Sequence, residues 1–484
     1  MELILKASRL GLRNSTTRIA FRYGSACLTR CPQATLGATI EVAGRPQEGY
    51  SGDCLPPGWF DKTAGKPYAQ QIADMLAMIE LAQSVFLEQF DTPRPFFPGF
   101  IAAEHCCHQR AAEHDFTPLL ASFGVSLLER AVMDAMCRSA GLSFAQAVRR
   151  NVFALEGGAI ESQLQGTAPA QWLPAEPRRW VFVRHTVGLG DPLTSSEIAP
   201  EERLHDGMPQ SLEECIDAGG LRYFKIKVSN QLERDLSRLT TIAALIEHRR
   251  GADYRVTLDG NEQYHSADEF DRLIAAIGAE PQLATFWNNV LAIEQPLERK
   301  IALDSRHTAG IRELGKHKPV IIDESDGTPT AYIEALDLGY RGVSSKNCKG
   351  PVRSLLNAGL TWLRNDQGRR HDYLMTGEDL CSVGIIPVQA DLCLAATLGL
   401  EHVERNGHHY HPGLSYLPAA QQEAALAAHS DFYERRAGAI RPRLHDGRFE
   451  IASLQCVGYG FAVEPDFASL DSPDAWSFNS LGID

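Results

Sequence analysis

The sequence has no run that approaches the roughly 18 apolar residues a membrane-crossing helix requires. Its opening, MELILKASRLGLRN, puts Glu2, Lys6 and Arg9 where a secretion signal needs an apolar core, so no such signal is read. Positive charge is also scarce. Against 61 Asp and Glu stand 47 Lys and Arg, a formal net charge of −14, which argues against a generic nucleic-acid binder. It does not forbid an anionic substrate, because a site can be locally basic on an acidic protein. A cysteine framework is missing too: the eleven cysteines, an odd number, are spread from Cys27 to Cys456 and read as reduced, mostly buried thiols of a cytoplasmic protein. His105, Cys106, Cys107 and His108 are zinc-ligand types, but adjacent positions cannot wrap one tetrahedral ion. Gly188-Leu189-Gly190 and Gly458-Tyr459-Gly460 lack the rest of a dinucleotide fingerprint.

What is present is ample apolar content, 44% of 484 residues, which excludes wholesale disorder. The length suits two or three domains, or one large barrel with a cap. Residues 1–155 read as an α+β unit, with strands first and then helices. The stretch YAQQIADMLAMIELAQSVFLEQF carries a helical period, and SFGVSLLERAVMDAMCRSA ends at Gly141. The loop DCLPPGWFDK is expected to expose Trp59 and Phe60 to some partner surface. Residues 157–179 form a Gly-, Ala- and Pro-rich excursion.

Over 180–440 the rhythm changes. WVFVRHTVG, YFKIKVS, RVTLDGN, LAIEQP, PVIIDES, GVSSKN, YLMTGED and HVERNG are eight short apolar-leaning runs, most of them separated by helix-like stretches. Strand alternating with helix implies parallel pairing, and eight such units predict a closed (β/α)8, TIM-like barrel. Residues 441–484 are expected to return to the amino-terminal unit, which together with that tail forms an α+β capping domain.

In a parallel barrel, ligands bind at the carboxyl ends of the strands. Lys225 and Lys227 lie two apart in YFKIKV, on one side of their strand. Asp259 and Asn261 end the next run, Glu294 the next, Asp323 with Glu324 behind it the next, and Lys346 the one after. From Lys227 through Asp259, Glu294 and Asp323 to Lys346 the intervals are 32, 35, 29 and 23 residues, roughly one strand-plus-helix unit each. Three carboxylates converging on one point need a cation, and oxygen-only ligands suit Mg²⁺.

This ordered series resembles the enolase superfamily, in its muconate-lactonising-enzyme-like branch (the mandelate racemase/muconate lactonising enzyme family). The resemblance implies a metal set of Asp259, Glu294 and Asp323, with Lys227 as one acid/base, Lys225 as its neighbour and Lys346 as the opposite acid/base. Asn261 and Glu324 would support them. It also implies cap loops, nominated at 21–30 and 53–62, that close over the barrel mouth, so Arg22, Trp59 and Phe60 become candidate substrate-binding residues. Lys349, Glu378 and Asp379 are further candidates. After Lys346 the chain reads Asn347-Cys348-Lys349-Gly350, where familiar members often carry a Gly-Gly pair.

The expected function is Mg²⁺-dependent abstraction of the α-proton of a small-molecule carboxylate through an enediolate intermediate. Placing Lys225 beside Lys227, both near a divalent cation, is expected to lower the lysine pKa so that it can act as a base. A racemase or epimerase is the first choice. A cycloisomerase or dehydratase of the same superfamily, both isomerase or lyase chemistry, and a non-catalytic metal-binding barrel are the alternatives. A homo-oligomer with neither nucleic-acid nor membrane partner completes the expectation.

Overall fold

The computed structural model describes residues 1–24, 26–368 and 371–483. Position 25 of the nominated loop 21–30 and the last residue of the tail therefore lie outside the described residues.

The chain opens with an antiparallel sheet. Strands β1 (Glu2–Tyr23), β2 (Ala26–Val42) and β3 (Arg45–Cys54) run as a meander, and the short β4 (Arg94–Pro95) pairs with the start of β1, giving the order β3-β2-β1-β4. Three helices follow the meander in sequence: α1 (Tyr68–Gln89), α2 (Phe96–Glu113) and α3 (Pro118–Ala140). Helix α3 starts on a Thr117 side-chain cap with Pro118 at its first position, and stops at Gly141 in the left-handed region (φ 65°). Gly49 of β3 lets the strand meet this helix: a Cβ there would lie 2.2 Å from the Ala135 nitrogen, so only glycine permits the contact. Helix α2 was not anticipated. Its first turn, FFPGF, reads as a loop, but proline is tolerated there and the phenylalanines Phe96, Phe97 and Phe100 are buried.

Eight parallel strands then close on themselves: β5 (Trp180–Val187), β6 (Tyr223–Lys227), β7 (Arg255–Asp259), β8 (Val290–Glu294), β9 (Val320–Ile322), β10 (Gly342–Lys346), β11 (Leu374–Glu378) and β12 (His402–Glu404). They pair in sequence order, and β12 pairs with β5 to seal the barrel. Each coincides with one of the eight apolar runs. Helices such as 232–250, 351–368 and 386–398 form the crossovers.

The tail returns in two stages. A hairpin of β13 (Tyr433–Arg436) and β14 (Ala439–Pro442) precedes β15 (Arg448–Glu450), which adds antiparallel to β5 on the barrel. Only then does the chain reach the antiparallel sheet, where Leu12 bridges to Asp471 and Arg30 donates to the carbonyl of Leu481 at 2.6 Å. No helix among the described residues is long and apolar enough to cross a membrane.

Candidate active site

Alternation along the barrel strands sorts side chains into two sets. Phe224, Ile226, Leu258 and Ile293 are buried apolar residues of one set, while Lys225, Lys227, Asp259 and Glu294 belong to the other. Register then aligns the polar set: Lys227 pairs with Asp259, Asp259 with Glu294, and Lys346 with Glu378. Strand β9 is short, so Asp323 lies just past its end. The lysines of β6 and β10 come from strands four apart in an eight-stranded barrel, hence from opposite walls.

Lys225 is the hub. Its ammonium contacts Glu294 Oε1 at 2.6 Å, Glu378 Oε1 at 2.9 Å, Asp259 Oδ2 at 3.0 Å and Glu404 Oε2 at 3.0 Å. Lys227 donates to Asp259 Oδ2. Lys346 lies 3.3 Å from Asp323 Oδ2 and 3.1 Å from Glu378 Oε2. Lys349 is buried against Asp323, donating to Oδ1 at 3.2 Å and to its backbone carbonyl at 3.1 Å.

The protein's own acids act against the expected depression of the lysine pKa, which counted on a divalent cation as well as on the neighbouring lysine. Burial pushes Lys225, Lys227 and Lys346 down, but the acids around them outweigh it, and all three are held above the ordinary lysine value. The acids divide in turn. Against burial, Lys225 and Lys227 hold Asp259 below the carboxylate range, and Lys225 with Lys346 does the same for Glu378. Glu294 is pushed well up, by burial and then by Glu378 at its side.

Glu294, Asp323 and Glu378 each offer an oxygen within 4.8 Å of the others. Glu294 Oε2 is buried with no hydrogen-bond partner among the described residues. A hard, oxygen-preferring divalent cation would relieve both the crowding and the orphaned oxygen, so the residues present fit one.

Phe21, Tyr23, Pro56, Trp59, Lys225, Lys227, Asn261, Asp323, Glu324, Lys346, Asp379, Leu380, Cys381, Glu404 and Asn406 line a pocket with about 490 Å³ of empty volume. Apolar side chains from the antiparallel-sheet region thus face polar ones from the barrel. Trp59 and Phe60 are not exposed as the loop chemistry suggested, being 8% and 3% accessible. Phe60 instead packs on Phe123, with ring centroids 4.4 Å apart, and does not line the pocket. Arg22 is exposed and faces a neighbouring cavity rather than this one. Glu378 and Lys349 do not line the pocket and instead pair with other site groups, Lys225 and Asp323 respectively. Asp379 does line it and pairs with Arg405 at 3.0 Å, and burial lifts its carboxyl to about 6. His408, His409 and His411, which follow the eighth strand, do not line it.

The rim is strained where it aims these groups. Asn261, Glu262 and Gln295, all non-glycine, have φ of 45°, 66° and 34°. Asn261 thereby donates to Glu324 at 3.0 Å. Gln295 accepts from the backbone nitrogens of Asp323 (2.8 Å) and Ser325 (3.2 Å), fixing the loop that carries Asp323. Lys62 reaches from the other side to Glu262 and, at 3.6 Å, to Glu324. Burial, with Glu262 beside it, pushes Glu324 up to about 7 against the pull of Lys62. Sequence reasoning missed Arg184, Gln295 and Glu404. Gln295 follows its strand directly, and the rule that singles out polar residues after an apolar run finds it.

No family model matches the sequence, and no curated protein matches it. Solved structures do share the fold. A mandelate racemase/muconate lactonizing protein from Herpetosiphon aurantiacus superposes with a TM-score of 0.58 at 16% identity, covering 96% of this chain and 99% of that one. A dipeptide epimerase from Enterococcus faecalis V583, complexed with Mg and L-Leu-L-Tyr, gives 0.58 at 16% identity over 96% and 100%. A muconate lactonizing enzyme from Pseudomonas fluorescens, complexed with muconolactone, gives 0.56 at 14% over 95% and 97%. The chain has the fold of the mandelate racemase/muconate lactonizing proteins and dipeptide epimerases, a parallel eight-stranded barrel with a separate antiparallel-sheet region.

Proposed function

We propose that this chain is an enolase-superfamily enzyme that removes and returns the α-proton of a small carboxylate, as a racemase or epimerase. The observation that carries the reading is the placement of Lys227 and Lys346 on opposite walls of one pocket that also contains Asp323. A proton exchanged between two faces of a planar intermediate requires one acid/base on each side. Lys227 serves one face, Lys346 the other, and each is held in place by a carboxylate, Asp259 and Asp323 respectively. Glu294 and Asp323 would hold a divalent cation such as Mg²⁺, which stabilises the second negative charge that α-proton removal places on a substrate carboxylate. Lys225 bridges four acids from four strands, so it acts as a strut that keeps them converged rather than as a base. Trp59, Phe21 and Leu380 exclude water from the reacting carbon.

The neighbours of this fold support the chemistry, since two dipeptide epimerases among them were solved with Mg and a dipeptide. The test is solvent-deuterium exchange on a carboxylate library with Mg²⁺ present. Incorporation at the α-carbon by the wild type, lost from one enantiomer in Lys227→Ala and from the other in Lys346→Ala, supports enolisation by two opposed bases. Exchange that persists unchanged in both Lys227→Ala and Lys346→Ala overturns the assignment of the bases.

A further inference from the structure

We propose that a pocket on the outer side of the barrel wall, lined in part by the β13–β14 hairpin, is a second binding site that takes a small organic monocarboxylate on Arg441. It is independent of the chemistry assigned to the barrel mouth.

Alternation along β5 places the pocket. Arg184 and Thr186 turn inward, to Glu378 and Glu404, so His185 between them turns outward. There His185 lines a cavity with about 570 Å³ of empty volume, bounded by helix Leu212–Gly219, the loop 207–209, His408 and the hairpin. This cavity shares no described residue with the pocket at the barrel mouth.

The hairpin's register sets Glu434 opposite Arg441, with Arg436 two residues along from Glu434, so all three share one face, and all three line the cavity. Arg441 is 7% accessible, yet its guanidinium makes no hydrogen bond or ion pair among the described residues. Arg18 and Asp206, which also act on it, are already joined to each other at 2.9 Å. Burial, and then Arg436, hold Arg441 below its ordinary value against the pull of Glu434 and Asp206. A cation withdrawn from water without a close counter-charge is costly. His408 adds to the same lining a buried Nδ1 with no hydrogen-bond partner among the described residues.

The lining also selects the ligand. Burial keeps His185, His408 and His409 uncharged, so two arginines face one glutamate and the cavity carries a single surplus positive charge. That suits a monoanion, and Glu434 repels the second charge of a phosphate dianion. A guanidinium fork matches the two oxygens of a carboxylate. Met208, Leu221 and Leu444 offer apolar wall to the rest of the molecule, which makes the ligand an organic acid rather than an inorganic anion.

4-Bromobenzoate is the probe, titrated calorimetrically into the full-length protein and soaked into wild-type crystals, where anomalous scattering locates the bromine. The soak should place the carboxylate on Arg441. In solution Arg441→Met should weaken binding at least about tenfold, the loss expected when a charge-assisted hydrogen-bonded pair is removed. Lys346→Ala should leave it unchanged, which separates this site from carboxylate binding at the barrel mouth. 4-Bromobenzamide, with the shape but not the charge, and inorganic phosphate should each bind the wild type at least about tenfold more weakly than the acid. Because Arg441→Met removes an uncompensated buried charge, its thermal midpoint should not fall. Bromine absent from the cavity overturns the proposal, as does binding at soaking concentration only. Affinity indifferent to Arg441→Met, an amide or phosphate that binds as tightly as the acid, or a lowered midpoint in Arg441→Met, which would show the guanidinium to be partnered, overturns it too.

Discussion

The Lys346 ammonium sits 4.3 Å from the centroid of the Trp59 ring, so the indole of a loop outside the barrel covers the proposed acid/base on its sixth strand. A cation over an aromatic face gains about 1–2 kcal/mol when desolvated. The contact also fixes where the ammonium points. Trp59→Leu keeps the apolar bulk and removes the ring, so the Lys346-dependent step should slow about five- to thirtyfold while the substrate KM changes less. Single-turnover α-exchange followed by NMR separates the two effects.

Opposed lysines carry a stereochemical signature. If each serves one face, Lys227→Ala should abolish proton removal from one enantiomer and Lys346→Ala from the other, and each variant should retain washout from the enantiomer its surviving lysine faces. Chiral chromatography of acids recovered from ²H₂O checks this. Loss of both activities in both variants indicates a one-base reaction, in which the second lysine only stabilises charge.

The barrel was legible because its eight strands are short, apolar and regularly spaced, and Lys225, Lys227, Asp259, Glu294, Asp323 and Lys346 stand where polar residues follow an apolar run. What the spacing could not give is which oxygen meets which donor. Glu378 ends the seventh strand and so reads as a substrate contact, yet it does not line the pocket and is tied to Lys225 and Arg184. Arg184 was invisible since an arginine within the first barrel strand, WVFVRHTV, looks like a break in an apolar pattern rather than an interior partner. Arg22 failed for a local reason: it neighbours Phe21 and Tyr23, both of which line the pocket, but on an extended strand its own side chain faces the other way.

A second buried pair ties the antiparallel-sheet region together. Arg130 of α3 reaches Asp53 at the end of β3 at 3.2 Å and also donates to the Gly52 carbonyl at 3.1 Å, and Ser382 beyond β11 donates to Asp53 at 3.1 Å. Both charged side chains are almost wholly inaccessible. Removing one partner leaves the other charge buried and unpaired, which costs about 3–5 kcal/mol. Arg130→Met should therefore destabilise by that amount in chemical denaturation. The double variant Arg130→Met/Asp53→Asn should recover part of the loss, giving a non-additive cycle. Because Asp53 links to the loop after β11, the single variant should also perturb the pocket near Leu380, raising KM.

Acid sensitivity follows from histidines that the barrel wall keeps neutral. His185, on β5, is 5% accessible, and burial pulls its imidazole down to about 4 from the usual 6.5. In the unfolded chain it takes up a proton near pH 6.5, whereas in the folded chain it resists until about pH 4. Its contribution to stability is therefore complete above pH 6.5 and is lost as the pH falls toward 4, at about 1.4 kcal/mol per pH unit, or roughly 3 kcal/mol across the window. His408, pulled down to about 3, and His411, to about 4, act in the same direction, both chiefly through burial. The denaturant midpoint should thus fall steeply between pH 6.5 and 4.5. His185→Leu, which cannot titrate, should flatten that slope while leaving the protein near its wild-type stability at pH 7.5. Urea titrations of both proteins at several pH values measure it, and equal slopes in the two would show that His185 is already protonated, or solvated, in the native state.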